Sequence, residues 1–524
     1  VILSGGRLDK LVAMDIDPRT PVIVGVGQVA ERIEDPDYRR RSPVELAAEA
    51  ARGALADSGA PPNRVAEAVD TVAGVRQFEI SHPRAIAPLG RSNNFPRSVA
   101  GRVGAAPRRS ILTVAGGQVP QQLVTELAGA IAEGHTDVAL AFGAEALSTV
   151  QLLAAAEDRP DWSETVEGQL DDRGYDIGDL VRPYQLRHGL TSPLIAYALF
   201  ENARRARLKL TPDEYARAEM GELFAPFTEV AAANPLAAAR VRRDATELIR
   251  PGPRNRLIAE PYSRYLVARE KVNQGAAVLL VSGEAADRLG VPAERRVYLH
   301  GHADLRERDV LERPDLGRSP ASVAATRLAL ELAGVGVDDL ATIDLYSCFP
   351  VAVSVVREGL GLAIDDPRGL TVTGGLPFFG GPGNNYSMHA IAETVCRARA
   401  TPGARGLVGA NGGALSKYSA GVYSTTPVPW RPARRPRRAE LDAAPAPVVV
   451  ERAEGWATVE TYTVAYREDG GRIGTVVGRL AENDARFLAV AAHEETLDAL
   501  GGGEPIGLRV RARANGEVNH VTVG

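Results

Sequence analysis

The sequence predicts an α/β protein built from a duplicated unit, with a helical insertion in the first copy and a small all-β domain near the C-terminal end. Three observations carry this. The strand-and-turn phrase "LTVAGG" at 112–117 returns as "LTVTGG" at 370–375. Each copy holds a helix that opens with Ser-Pro, at 42–43 and at 319–320, and stops at a glycine. After residue 447 the pattern turns into short alternating strands around glycine turns. Landmarks recurring in one order indicate an internal repeat, and strands alternating with helices indicate parallel sheet covered by helices.

In the first copy, "PVIVGVGQ" (21–28) is a short apolar run ending in glycine, hence a buried strand. Ser42 caps the helix at 42–60, Pro43 takes its first position, Glu45 completes a capping box and Gly59 stops it. A strand at 69–78, a strand and turn at 111–117, a helix at 121–134 and a strand at 137–148 follow. The second copy repeats the order: strand 296–304, helix 319–336, strand 341–349, strand and turn 370–375, helix 387–400, strand and loop 404–418. "GAEALS" in the first copy and "GGALS" in the second fall in matching places.

The domain boundaries follow. Residues 1–19 read as a disordered lead-in, with Met14 a candidate start and no signal peptide, because charges interrupt the apolar stretch. The first half spans 20–148 and 256–290, with a last strand at 276–282. An Arg-rich helical insertion fills 149–255, and its arginines are expected to be mostly solvated. The second half is 291–424, a Pro- and Arg-rich linker is 425–447, and 448–524 is the β domain. In that domain, turns at Asp469-Gly470-Gly471 and Asn515-Gly516 mark two hairpins, with a short helix at 492–500 between them. About five strands of this spacing suggest a barrel of the OB type.

Composition bounds the function. The chain has 524 residues, 45% hydrophobic and 24% charged, with net charge −5, a globular profile without whole-chain attraction to nucleic acid. The arginine run of the linker has no interleaved aromatics and reads as solvated. The longest apolar run, 275–283, is too short to span a membrane. Only Cys348 and Cys396 are present, which argues for a reducing compartment and a cytoplasmic protein without disulfides. "GVGQ" lacks dinucleotide-fingerprint spacing. His300 and His302 alternate on one strand but lack an acidic or cysteine partner, so no metal is expected.

The stretches "PVIVGVGQ", "NQGAAVLLVSGEAA", "IDLYSCF", "GGLPFFGGPG" and "GANGGALS" resemble the thiolase superfamily in sequence and order, over about residues 20–425. "YSCF" is most similar to the corresponding loop of sterol-carrier-type thiolases. With the added β domain the chain resembles the type-1 thiolase-like proteins. The resemblance implies a duplicated thiolase fold, two parallel-sheet-centred halves in layered αβαβα packing. It also implies CoA or an acyl-CoA as ligand, with arginines of the insertion as candidates to meet its phosphates, no other cofactor, and a monomer rather than the usual thiolase dimer.

The resemblance further implies four chemical positions. A thiolase places its nucleophilic cysteine where this chain has Gly117, its histidine at Gly381, its acid/base cysteine at Ala410, and an Asn or His at Tyr346. Glycine and alanine carry neither a proton nor an acyl group. No cysteine precedes Cys348. Cysteine-based condensation or thiolysis is therefore not expected, nor is ketosynthase chemistry. The polar residues left as candidates are Tyr346, Tyr386 and His389 for acid/base work, and Cys348, Asn384, Asn385 and Asn411 for holding a ligand, with Tyr418 nearby. Each also has a bland reading: a small buried thiol for Cys348, a cap or core group for His389, a turn for Asn384-Asn385. The readings kept are an acyl-CoA-binding protein without Claisen chemistry, a retro-aldol lyase acting on a β-hydroxyacyl-CoA, and a binding or scaffold module working through the β domain.

Overall fold

The computed structural model describes residues 17–434 and 436–523; most of the expected lead-in, 1–16, lies outside them. The first-half strands are β1 (Pro21–Ala30), β2 (Thr71–Gly74), β3 (Arg109–Leu112), β4 (Val138–Ala146) and β5 (Asp171–Asp172). β6 (Leu257–Ala259) and β7 (Tyr262–Ser263) follow the insertion, then β8 (Asn273–Ser282). The first sheet runs β1-β8-β4-β2-β3-β5. The second half supplies β9 (Tyr298–Arg306), β10 (Thr342–Asp344), β11 (Gly406–Gly412) and β12 (Lys417–Ser424), in the order β10-β11-β12-β9.

Two helices, Val119–Ala132 and Tyr386–Ala400, lie against each other and touch both sheets. Helices Pro43–Asp57 and Pro320–Ala333 cover the outer faces. The result is a five-layer αβαβα stack. The capping box forms as expected: Glu45 N donates to Ser42 Oγ at 3.2 Å and Ser42 N donates to Glu45 Oε2 at 2.8 Å.

Two readings are corrected. The sheets are mixed: β8 runs antiparallel to β1 and β4, and β12 antiparallel to β11 and β9. Buried apolar runs look alike in either direction, so the sequence hid this. The repeated phrase at 370–375 forms no strand. The buried Asp344 carboxylate holds it instead, accepting from Val372 N at 2.9 Å and Thr371 Oγ1 at 3.0 Å. Most of the insertion's arginines are exposed, as expected, with two buried exceptions. Arg204 and Arg205 are buried, Arg204 Nη2 pairing with Glu219 Oε2 at 2.8 Å and Arg205 Nη2 donating to Glu504 Oε1 at 2.8 Å.

The C-terminal strands β13 (Gly455–Tyr466), β14 (Arg472–Leu480), β15 (Arg486–Ala491), β16 (Arg509–Asn515) and β17 (Val518–Val523) close into a five-stranded barrel around their own apolar core. Both hairpin turns and the helix Glu494–Gly501 fall where the alternation places them. The barrel is anchored to the body. β6, expected to belong to the first half, pairs with β13 at Ala259–Ala465. Asn202 Nδ2 donates to Tyr462 O at 2.9 Å, and the buried Arg486 donates to Leu311 O at 2.8 Å. The linker is tethered by the two histidines considered for metal: His300 Nε2 meets Thr426 O at 2.8 Å and His302 Nε2 meets Arg431 O at 3.1 Å, with Trp430 stacked on the His302 ring.

Candidate functional site

A cavity of about 440 Å³ opens where the turn after β3, the loop after β10, the 376–384 loop and the end of β11 meet the insertion. Its wall is mostly apolar, with Leu180, Leu194, Ile258, Phe349 and Leu376 contributing. Of the residues singled out from sequence, it gathers Gly117, Gly381, Tyr346, Cys348, Asn384 and Asn411. Ala410, Asn385, Tyr386, His389 and Tyr418 do not line it.

The turn at the helix start is shaped by its neighbours. Gly116 sits at φ +137°, a conformation that side chains rarely adopt, and its N–H donates to Asn384 Oδ1 at 2.9 Å. Asn384 Nδ2 donates to Arg76 O at 2.7 Å and Ser81 Oγ at 2.8 Å, while Ser387 Oγ donates to Gly117 O at 2.8 Å. The second-half loop thus clamps the first-half turn. At Gly117 a Cβ would fall 2.5 Å from both Tyr346 Cζ and Asn411 O, and nearer still to the Tyr346 hydroxyl. At Gly381 the nearest atoms to a Cβ are at ordinary contact distance, from 3.4 Å to Leu376 Cδ2 upward. Position 117 is closed to a side chain by Tyr346, whereas position 381 has room for one.

Tyr346 is buried, packs edge-on to Tyr386 at 5.5 Å, and its hydroxyl has no hydrogen-bond partner among the described residues. Burial first, then the nearby Cys348 and Glu270, raise its pKa well above the usual phenol range. Cys348 is pushed up to about 12 by burial and is a neutral thiol, its Sγ 3.8 Å from Asn411 Nδ2. Asn411 Nδ2 also donates to the Tyr197 hydroxyl at 2.6 Å.

The excluded candidates are occupied elsewhere. The Tyr386 hydroxyl lies 2.7 Å from Thr373 Oγ1 and donates to Asp344 Oδ1 at 3.2 Å. His389 is fully buried, with Nδ1 2.8 Å from Gln28 Oε1, Nε2 unpartnered, and the ring against Phe379. Burial lowers its pKa to about 3, so it stays neutral. Asn385 Nδ2 donates to Gly143 O at 2.7 Å within the sheet interior. Among the described residues no group of three or more His, Cys, Asp or Glu is arranged to hold a metal ion.

Two participants were missed from sequence. Tyr197, in the helix Pro193–Leu208, donates to Gly413 O at 3.0 Å and stacks on Phe349 at 4.4 Å. Glu270 lines the cavity, and its carboxylate has no hydrogen bond or ion pair among the described residues; burial raises its pKa, partly offset by Lys271. Glu270, Val267 and Ala268 also line a groove of about 570 Å³. That groove is rimmed by Arg254, Arg264, Arg269 and Lys271, none of which has an ion-pair partner among the described residues. Burial first, then the cations Arg264 and Arg243, lower the Arg269 pKa against the opposing Glu34, which lines the same groove. The cluster of cations and the unpaired glutamate leave no periodic or motif signal in the sequence.

Comparison with known proteins places this geometry. A family model described as the thiolase-like protein type 1 additional C-terminal domain matches residues 436–517. No curated protein matches the chain. Among solved structures, a monomeric SCP2-thiolase like protein type 1 from Mycobacterium smegmatis is 47% identical, with TM-score 0.84 over 97% of this chain and 100% of that one. An Ltp2–ChsH2(DUF35) aldolase (20% identity, TM-score 0.56, 78% and 98% covered) and the dimeric peroxisomal thiolase of Saccharomyces cerevisiae (15%, 0.55, 78% and 98%) share the fold. Among the described residues no helix is long and apolar enough to cross a membrane. With nearly half its residues identical along almost the whole of both chains, the chain belongs to the SCP2-thiolase-like protein type 1 family and carries its additional C-terminal domain.

Proposed function

We propose that the chain binds CoA thioesters without forming an acyl-cysteinyl intermediate. The observation that carries this is the adjacency of two spaces that share Val267, Ala268 and Glu270 in their walls: a groove rimmed by unpaired cations and an apolar cavity. A ligand with phosphates at one end and an acyl chain at the other matches that arrangement of charge and apolar wall. Gly117, Gly381 and Ala410 leave the thiolase positions without reactive groups. The protein acts as a monomer in a reducing compartment. The outer edge of β3 supports the monomer, because it is already paired with β5, whose two residues are both aspartate. Calorimetric titration with CoA, acetyl-CoA and a long-chain acyl-CoA tests the reading. Binding that strengthens with the acyl chain and weakens in Arg264→Ala and Lys271→Ala supports it; no heat with any of the three overturns it.

A second reading rests on the two unpartnered ionisable groups facing the cavity, Tyr346 and Glu270. In a retro-aldol cleavage, the Glu270 carboxylate takes the proton of a β-hydroxyacyl thioester's hydroxyl. The bond between the α and β carbons breaks, releasing a carbonyl compound and leaving its electron pair in the thioester enolate. The Tyr346 hydroxyl donates a proton to the α carbon, and the proton on Glu270 returns to the phenolate through solvent. Release of the carbonyl product by the native chain, lost in Glu270→Gln and Tyr346→Phe, supports this. Turnover that survives both substitutions sinks it.

A further inference from the structure

The outer face of the barrel carries a feature separate from the cavity. Arg509, Arg511 and Arg513 alternate with the buried Val510 and Ala512 along β16, so all three guanidinium groups leave on the same side. Trp456 sits opposite Arg511 in the neighbouring strand β13 and is 38% exposed. The Arg509 Cζ lies 4.1 Å and the Arg511 Cζ 5.5 Å from its ring centroid. Across the other side, Thr522 and His520 on β17 face Arg511 and Arg513. None of the three arginines has a carboxylate partner among the described residues, and Arg511 Nε is buried without a hydrogen bond.

That segregation is unusual for this domain. Residues 448–524 contain twelve acids and eight arginines, and Arg472, Arg479 and Arg486 are each paired with acids. Arg452 and Arg467 also lack an acid partner among the described residues, but only on β16 do unpaired arginines line up on one face, beside an aromatic plane. Alternate residues along a strand stand about 7 Å apart, an interval comparable to that between successive phosphates of an extended single strand. A linear polyanion with stackable flat groups satisfies both features, since phosphates pair with arginines and a base stacks on indole. A lipid surface fits less well, because the neighbours Thr458 and Thr522 offer no apolar patch to insert.

We propose that this Trp456–Arg509–Arg511–Arg513 face is a binding site for single-stranded nucleic acid. The test is fluorescence anisotropy of a labelled homopyrimidine strand of about 16 nucleotides titrated with the full chain, at about 50 mM and about 200 mM salt. Binding is expected at the lower salt and is expected to weaken at the higher. The combined variant Arg509→Gln, Arg511→Gln, Arg513→Gln is expected to lose it. Trp456→Ala is expected to weaken it about tenfold, while Trp456→Phe retains most of it. These positions are on the surface, and unchanged circular dichroism and CoA titration separate loss of the face from loss of the fold. The proposal is overturned by no binding at the lower salt, or by binding that the triple variant retains. It is also overturned by equal binding to heparin, an acidic peptide or anionic vesicles that is indifferent to Trp456.

Discussion

The hydroxyl of Tyr346 stands in the volume that a side chain on residue 117 would need, with Tyr346 Cζ and the Asn411 carbonyl oxygen each 2.5 Å from where that Cβ would lie. A side chain at 117 and the tyrosine at 346 thus exclude each other sterically. The two residues are 229 positions apart in a chain whose halves are interlocked by Asn384 and Ser387.

Placing a cysteine at 117 alone is therefore expected to fail. Gly117→Cys overpacks the turn and is expected to cost about 1–3 kcal/mol by urea denaturation, with no acyl transfer from acetyl-CoA. Pairing it with Tyr346→Ala removes the clash with the tyrosine and recovers part of that stability, but not all, because the Asn411 carbonyl remains. Full recovery in the double variant would show that the backbone contact is not restrictive.

Tyr386→Phe separates structure from ligand binding. The substitution strips a hydroxyl from between Thr373 and the buried Asp344, which burial has already pushed up to about 6. A loss of about 1–3 kcal/mol in stability is expected, with acyl-CoA affinity unchanged because the side chain does not reach the cavity. A selective loss of affinity would mean that Tyr386 acts on the ligand.

Two buried groups titrate in opposite senses. His389 is held neutral down to about 3, against an ordinary value of 6.5. The unfolded chain takes up its proton first, so the stability from this site is complete above pH 6.5 and is lost as pH falls toward 3. Relative to His389→Asn, the native chain is expected to lose about 2 kcal/mol between pH 6.5 and pH 5. Glu145, whose Oε1 accepts from Phe78 N at 2.7 Å, is raised by burial to about 8 from 4.5. Its folded form keeps the proton longer, so its contribution is complete below pH 4.5 and is lost as pH rises through about 8. Glu145→Gln is expected to flatten that decline in urea midpoints measured from pH 5 to pH 8; parallel curves would show that Glu145 ionises freely in the fold.

The barrel and the body are expected to unfold together. The Arg486 side chain is completely buried, pairs with Glu460 on the barrel and donates to Leu311 O on the body. Arg486→Ala takes the donor from the Leu311 and Arg313 carbonyls while Glu460 keeps Arg479, at a cost of about 1–3 kcal/mol. Calorimetry should then resolve two transitions where the native chain gives one. A single transition in the variant would place the coupling in the Asn202 and β6–β13 contacts instead.

The covered sheet edge predicts the oligomeric state. Light scattering should report a monomer across the accessible concentration range. Asp171→Val with Asp172→Val removes charge from the outermost strand and is expected to promote association. A dimer in the native chain would show that another surface does the pairing.

The sequence by itself determined the repeat, the caps, both barrel hairpins and the absence of a cysteine early in the chain, because these depend on local periodicity and turn chemistry. Tertiary structure decided which polar groups meet. Tyr346 and Tyr386 are both candidates in sequence, yet one faces the cavity and the other is spent on Asp344. Ala410 and Asn411 differ by one residue on a strand, and only Asn411 reaches the cavity, since neighbours on a strand point to opposite faces. His389 lies in the helix between the sheets, where packing takes one ring nitrogen to Gln28 and seals the other from solvent. Glu270, Tyr197 and the groove arginines come from segments with no repeat partner. Their convergence depends on how the insertion folds back over the two halves, a long-range packing outcome that no local pattern in the chain records.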